Sequence, residues 1–159
     1  QAELADPTKI DRKIPDGPLG LERKKCDQAK RAVAYAASLG VQKYVQKISE
    51  KQELLGVLAD SLILIYAMDS AITRTLQIVK SKGEAGAQVP IWMSQLFVAQ
   101  AHEKVFDGLR EMLMWISQDE EWTREIRDIN TYYELTRTNT FSLRRKIALH
   151  TIEAGGYAI

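Results

Sequence analysis

The sequence predicts an all-α fold, an antiparallel bundle of three long helices and about two short ones. Three observations carry this expectation. Apolar residues recur at spacings of three and four along most of the chain beyond residue 20, turn-rich or capping stretches separate these runs, and no segment alternates apolar with polar as a half-buried strand would. With 159 residues, 45% hydrophobic and 27% charged, the chain matches one globular domain large enough to bury a real core.

Residues 1–20 hold Pro7, Pro15 and Pro18, three of the four prolines, with little apolar periodicity. They read as a linker or strap ahead of the bundle, residues 21–159, and suggest a C-terminal fragment of a longer protein. From Leu21 onward, Cys26, Ala29, Val33, Ala36, Ala37, Gly40, Tyr44 and Ile48 trace one helix face, with Arg23, Lys24, Asp27, Lys30 and Arg31 on the solvent side. The stripe resumes in phase at Tyr44, so Gly40 is expected inside a continuous helix, where its size lets a partner helix approach closely.

Ser49 with Gln52 forms a capping-box pattern, and the second helix is predicted to run from about Glu50 to Lys80. Its run "LADSLILIYAMDSAITR" carries no charge from Ser61 to Met68, between Asp60 and Asp69. Nine positions set those two carboxylates about 180° apart around the helix. Every direction between them is apolar, so this helix is expected to be the central one, covered on all sides. The uncharged run is far short of the ~20 residues that span a bilayer.

"SKGEAGAQVP" is a turn-rich break, and Pro90 suits the first turn of a third helix. That helix carries Leu96, Ala99, Phe106, Leu109, Leu113 and Ile116 on one face, against Gln95, His102, Glu103, Asp107 and Arg110. Ser117 with Glu120 is a second capping-box candidate, opening a shorter helix through Trp122, Ile126, Ile129 and Tyr133. A last helix reads Leu143, Ile147 and Ile152 on one side and Arg144, Arg145, Lys146 and Glu153 on others, ending at "AGGYAI".

Residue chemistry points away from a self-contained active site. The 22 Lys and Arg balance 21 Asp and Glu, a net charge of +1, which argues against a nucleic-acid partner held by phosphate neutralisation. The two histidines, His102 and His150, lack the Glu three residues earlier that a di-iron bundle uses and the HExxH spacing of a zincin. His102 reads as a surface or boundary residue and no metal ligand is assigned. Cys26 lies on the apolar face of the first helix and reads as a small core residue rather than a nucleophile. Asp119, Glu120 and Glu121 suit a helix first turn, where acids complement the dipole. No catalytic or cofactor-binding residue is assigned. Apolar residues off the main stripe of the third helix, Trp92, Met93, Met112, Met114 and Trp115, form the candidate interaction surface. An isolated copy would satisfy such a patch most simply as a two-fold homodimer.

"LLGVLADSLILIYAMDSAITRTL", preceded by "VQKYVQKISEKQE" and followed by "FVAQAHEKVFDGLREML", resembles the extra C-terminal helical domain of very-long-chain-type acyl-CoA dehydrogenases. The order of features agrees over residues 19–159: a Pro/Gly approach, a Lys-rich helix, the "LAD…IYAM" helix, a helix ending near a tryptophan, and a basic last helix. The resemblance implies a parent enzyme, bacterial or mitochondrial, that oxidises fatty acyl-CoA to trans-2-enoyl-CoA in fatty-acid β-oxidation. A glutamate and FAD in the preceding domains do the chemistry, and an electron-transfer flavoprotein reoxidises the flavin. It implies a non-catalytic structural or interaction domain that holds no cofactor itself and whose partners are the catalytic domains of the parent. It further implies a dimeric assembly and peripheral membrane contact in the mitochondrial members. Localisation would be cytoplasmic in a bacterium, or the matrix face of the inner membrane in a eukaryote. The competing reading is a free-standing helical adaptor or membrane-surface module using the basic "LRRKIAL" segment.

Overall fold

The computed structural model describes residues 13–133 and 138–156, so most of the expected strap lies outside the described residues. Five helices follow in order: α1 Gly20–Tyr44, α2 Gln52–Lys82, α3 Gln88–Ile116, α4 Asp119–Tyr132 and α5 Thr140–Glu153. A 3-10 turn over Val45–Glu50 joins α1 to α2, and a shorter one over Ala85–Ala87 leads into α3. No strand occurs among the described residues, and the all-α expectation holds.

Local sequence explains the helix limits only in part. Gly83, at φ 75°, supplies the positive dihedral that ends α2. Pro90 sits in the first turn of α3, where its missing N–H costs nothing. Asn139 caps α5 by accepting from the Ser142 N–H at 2.9 Å. The two capping boxes are corrections. Ser49 falls within the 3-10 turn and α2 starts after Lys51 without a side-chain cap. Ser117 donates its hydroxyl to the Glu125 carboxylate instead, and Gln118 precedes α4 uncapped. At Ser117 the bond to Glu125 takes the hydroxyl that the cap would have used, and at Ser49 the 3-10 turn occupies the position of the cap.

α3, not α2, is the hub. It packs against each of the other four helices, whereas α2 touches α1 and α3 only, α4 touches α1 and α3, and α5 rests on α3 alone among the other helices. α3 buries residues on a wide arc, among them Val98, Ala101, Val105, Phe106, Leu109, Met112, Leu113 and Ile116. α2 buries Leu54, Ser61, Ile65, Met68, Ile72 and Thr75, a single stripe. The expectation of a helix covered on all sides is therefore overturned: only 28% of the most apolar stretch of α2 is buried. A helix apolar all round is either enclosed or faces a second environment, and the four helices arranged around α3 leave none to cover the outside of α2. α2 is also, among the described residues, the one helix long and apolar enough to cross a membrane by length and composition.

α1 and α2 cross closely where the small residues were expected. Gly40 lies inside α1, and a Cβ placed on it would stand 3.2 Å from Leu54 Cδ1. Farther along, the Thr75 and Ser94 hydroxyls share a hydrogen bond at 2.7 Å, fixing α2 against α3 within the core. Tyr35 donates to Asp128 at 2.8 Å, tying α1 to α4. α1 and α4 thus clasp α3 from one side while α2 lies against α1 and α3 with its outer face bare.

Candidate functional site

The five apolar residues singled out on α3 do not form one surface. Trp92 and Met93 lie in its N-terminal part, where the Lys146 ammonium of α5 stands 5.6 Å from the Trp92 ring centre and half-covers it. Met114 and Trp115 lie some twenty residues on, about 30 Å away along the helix. Met112 is a correction: it is 2% exposed and belongs to the core. Its position is three residues from Leu109 and four from Ile116, in phase with the buried stripe.

Around Met114 and Trp115 the structure builds a local aromatic corner. Tyr44 and Trp115 are tilted with centroids 5.8 Å apart, and Lys51 Nζ stands 5.1 Å from the first ring and 5.9 Å from the second. Beside it opens a cavity of about 430 Å³, lined by Leu54, Val57, Met112, Met114 and Trp115 and bordered by the carboxylates of Glu53 and Glu111.

The titratable groups inside the bundle are structural. His102 is 1% exposed, a correction to the surface reading. Tyr133, just beyond α4, stacks on it at 5.3 Å and Phe106 lies 4.8 Å away. Burial, together with Lys25 and Arg110, pushes its pKa down to about 3, so it is a neutral ring inside an aromatic sandwich. Its Nε2 has no hydrogen-bond partner among the described residues. Nearby, Lys24 is buried rather than solvent-facing, and Lys25 donates to Thr138 Oγ1 at 2.9 Å. Burial lowers the Lys25 pKa and raises that of Glu22. Cys26 lies in the core, its thiol pushed up to about 11 by burial, the opposite of an activated nucleophile. Glu120 and Glu121 are exposed on the first turn of α4. No cluster of three or more His, Cys, Asp or Glu suited to a metal exists among the described residues.

The surface that sequence reasoning missed is the outer face of α2. Leu62, Ile63 and Tyr66 are 56%, 64% and 76% exposed, with Leu55 and Ala59 beside them on the N-terminal side. They share one face, turned roughly 130° around the helix from the buried Leu54–Ile65–Met68–Ile72 stripe. Asp60 and Asp69 flank this face on its two sides, and Lys30 of α1 pairs with Asp69 at 3.4 Å. The signal was present in the spacing: two apolar stripes on different sides, each bounded by the same pair of carboxylates.

A family model described as acyl-CoA dehydrogenase, C-terminal domain, matches residues 28–126. The chain belongs to this family. It is similar to a probable acyl-CoA dehydrogenase of Bacillus subtilis, 27% identical over 143 residues, which cover 90% of this chain and 24% of that protein. Its fold is that of an acyl-CoA dehydrogenase from Bacillus anthracis crystallised with FAD: TM-score 0.91, 24% identity, covering 99% of this chain and 27% of the other. The acyl-CoA dehydrogenase C-terminal domain described here thus spans about a quarter of each relative. The cavity beside Trp115 does not suit FAD: it is bordered by Glu53 and Glu111, which would repel the diphosphate of a dinucleotide.

Proposed function

We propose that this chain is the non-catalytic C-terminal domain of a very-long-chain-type acyl-CoA dehydrogenase. On this reading it is a structural unit docked on the catalytic domains of the same protein. The parent oxidises fatty acyl-CoA to trans-2-enoyl-CoA with FAD held by those preceding domains. The observation that carries the reading is the match of residues 28–126 to the C-terminal-domain family, in a chain that spans only about a quarter of its relatives. The interior agrees with a structural role: its one buried histidine is held neutral and its cysteine is protonated. The family match does not favour the free-standing adaptor.

The test compares the 159-residue chain with the full-length protein that contains it. The full-length protein should be yellow, absorbing near about 450 nm as bound flavin does, and should oxidise long-chain acyl-CoA faster than short-chain acyl-CoA with an artificial electron acceptor. The 159-residue chain should be colourless and inactive. Flavin bound stoichiometrically by the short chain would overturn the reading, as would a full-length protein without acyl-CoA oxidation. A preference for short acyl chains would remove the very-long-chain assignment alone.

A further inference from the structure

We infer that the outer face of α2, formed by Leu55, Ala59, Leu62, Ile63 and Tyr66, is the surface on which this domain seats against the preceding domains of its own parent chain. The inference rests on the proposed function and names the contact that it requires.

Three features of the face point to a protein surface as its occupant. First, it is a built stripe and not scattered exposure. At 100° per residue the five side chains fall within about 100° of one another, centred roughly 130° around the helix from its buried stripe. Over this length the stripe holds no charge, unlike the outer side of α5, where Arg144 and Arg145 interrupt Phe141, Leu149 and Ile152. Second, Gly56 stands at its edge in the second turn of α2, with nothing within 4 Å of where its Cβ would be. A glycine inside a helix costs up to about 1 kcal/mol relative to alanine, and nothing within this domain requires one there. A neighbour approaching the helix backbone does. Third, the other helices leave the face uncovered while the buried stripe of α2 locks the helix to α1 and α3.

Size selects among occupants. From Leu55 to Tyr66 the helix advances about 17 Å, and one helix face is about 10 Å wide, giving on the order of 200 Å². A stable complex of separate molecules buries about 800 Å² per partner. A second copy held by this stripe alone would fall well short. A covalently attached body needs no such area, because the tether supplies the effective concentration. The relatives place about three quarters of their length outside the region matched here, which is that body. A membrane is disfavoured by charge: Asp60 and Asp69 flank the stripe, and carboxylates are repelled by an anionic lipid surface.

The experiment is thiol accessibility in the full-length protein. Leu62→Cys and Ala59→Cys are made separately, with Arg127→Cys as control. Arg127 is exposed on α4, which packs against α1 and α3 and makes no contact with α2. Maleimide labelling, followed peptide by peptide in a mass spectrometer, should be at least about tenfold slower at positions 59 and 62 than at 127, at every protein concentration. Cys26 is buried and silent on this timescale. Hydroxyl-radical footprinting of unmodified Tyr66 gives a reading without any substitution. The ring, 76% exposed here, should be protected in the full-length protein. Labelling at 59 and 62 as fast as at 127 overturns the inference. Protection lost on dilution assigns the face to a second copy, and protection gained only with anionic vesicles assigns it to a membrane; either overturns it. Flavin content and acyl-CoA oxidation of the same preparation report on the functional reading separately. A yellow, active enzyme with a reactive Leu62→Cys refutes this face alone.

Discussion

Gly40→Leu tests whether the α1–α2 crossing is as tight as its geometry states. A Cβ at Gly40 would meet the two terminal carbons of Leu54 at 3.2 and 3.4 Å and its Cγ at 3.8 Å. Leu54 is 1% exposed, so its side chain has little room to retreat. Gly40→Ala therefore sets a helix-propensity gain of about 1 kcal/mol against a contact that pushes Leu54 by a few tenths of an ångström. The two nearly cancel. Gly40→Leu adds three further carbons in the same direction, and overpacking should cost about 1–3 kcal/mol. Leu54→Ala alone removes a fully buried side chain and should cost about 2–5 kcal/mol. The double variant Gly40→Leu/Leu54→Ala returns volume to the space that was emptied, so its loss should be smaller than the sum of the two by about 1 kcal/mol or more. Urea denaturation followed by circular dichroism at 222 nm measures the parent and the four variants. Strict additivity, or a Gly40→Leu variant as stable as the parent, would show that the two helices do not touch here.

His102 should make stability pH-dependent. Its folded-state pKa, about 3, lies below the ~6.5 of an unfolded histidine, so the unfolded chain binds the extra proton between those values. Its contribution is complete above about pH 6.5 and is lost as pH falls toward 3, by about 2 kcal/mol between pH 7 and pH 5. Glu22, raised by burial, acts in the opposite sense just above its unfolded pKa, so the His102 share is read as the difference from His102→Leu. That variant removes a buried nitrogen without a partner, and should lose the pH dependence while keeping its stability at pH 7. Equal pH slopes in the two proteins would refute the burial. Val45 holds φ 46° on the surface, so Val45→Gly should raise the denaturation midpoint by relieving strain, by about 1 kcal/mol; a lower midpoint would refute it. Gly83→Ala should destabilise by about 1 kcal/mol or more, because alanine does not tolerate φ 75°.

The helices were legible because their apolar spacing is regular over many turns. Gly40 in mid-helix and Pro90 in a first turn follow from phase and from a missing N–H alone. What the sequence could not display was which apolar helix takes the middle. α2 and α3 are both rich in apolar residues, and an uncharged run such as Ser61–Met68 looks the same whether a partner lies within this domain or outside it. Only the packing of α4 and α5 on α3 resolves the choice. The same cause hid His102: its burial comes from Tyr133, thirty-one residues away, and no local pattern encodes that meeting. Of the candidate interaction surface, the structure leaves Met93, Met114 and Trp115 exposed and takes Met112 into the core. Trp92 and Met112 were surplus to one stripe, but other elements of this chain absorb them.

α5 is held to the other helices through α3 only, with Leu143 as its one buried side chain. Such an attachment gives the domain two tiers of resistance to opening. Lifting α5 exposes little apolar surface, so it can detach and return many times while α1, α2 and α3 stay closed. Amide protons of α5 should then exchange with solvent by their own small opening, on a timescale unrelated to global unfolding, while those around Leu109 and Met68 wait for the whole bundle. A protease present during those brief excursions would cut within α5 and leave the remaining helices folded. The C-terminal helix is therefore the place where this domain can be edited, bound or cleaved without being unfolded.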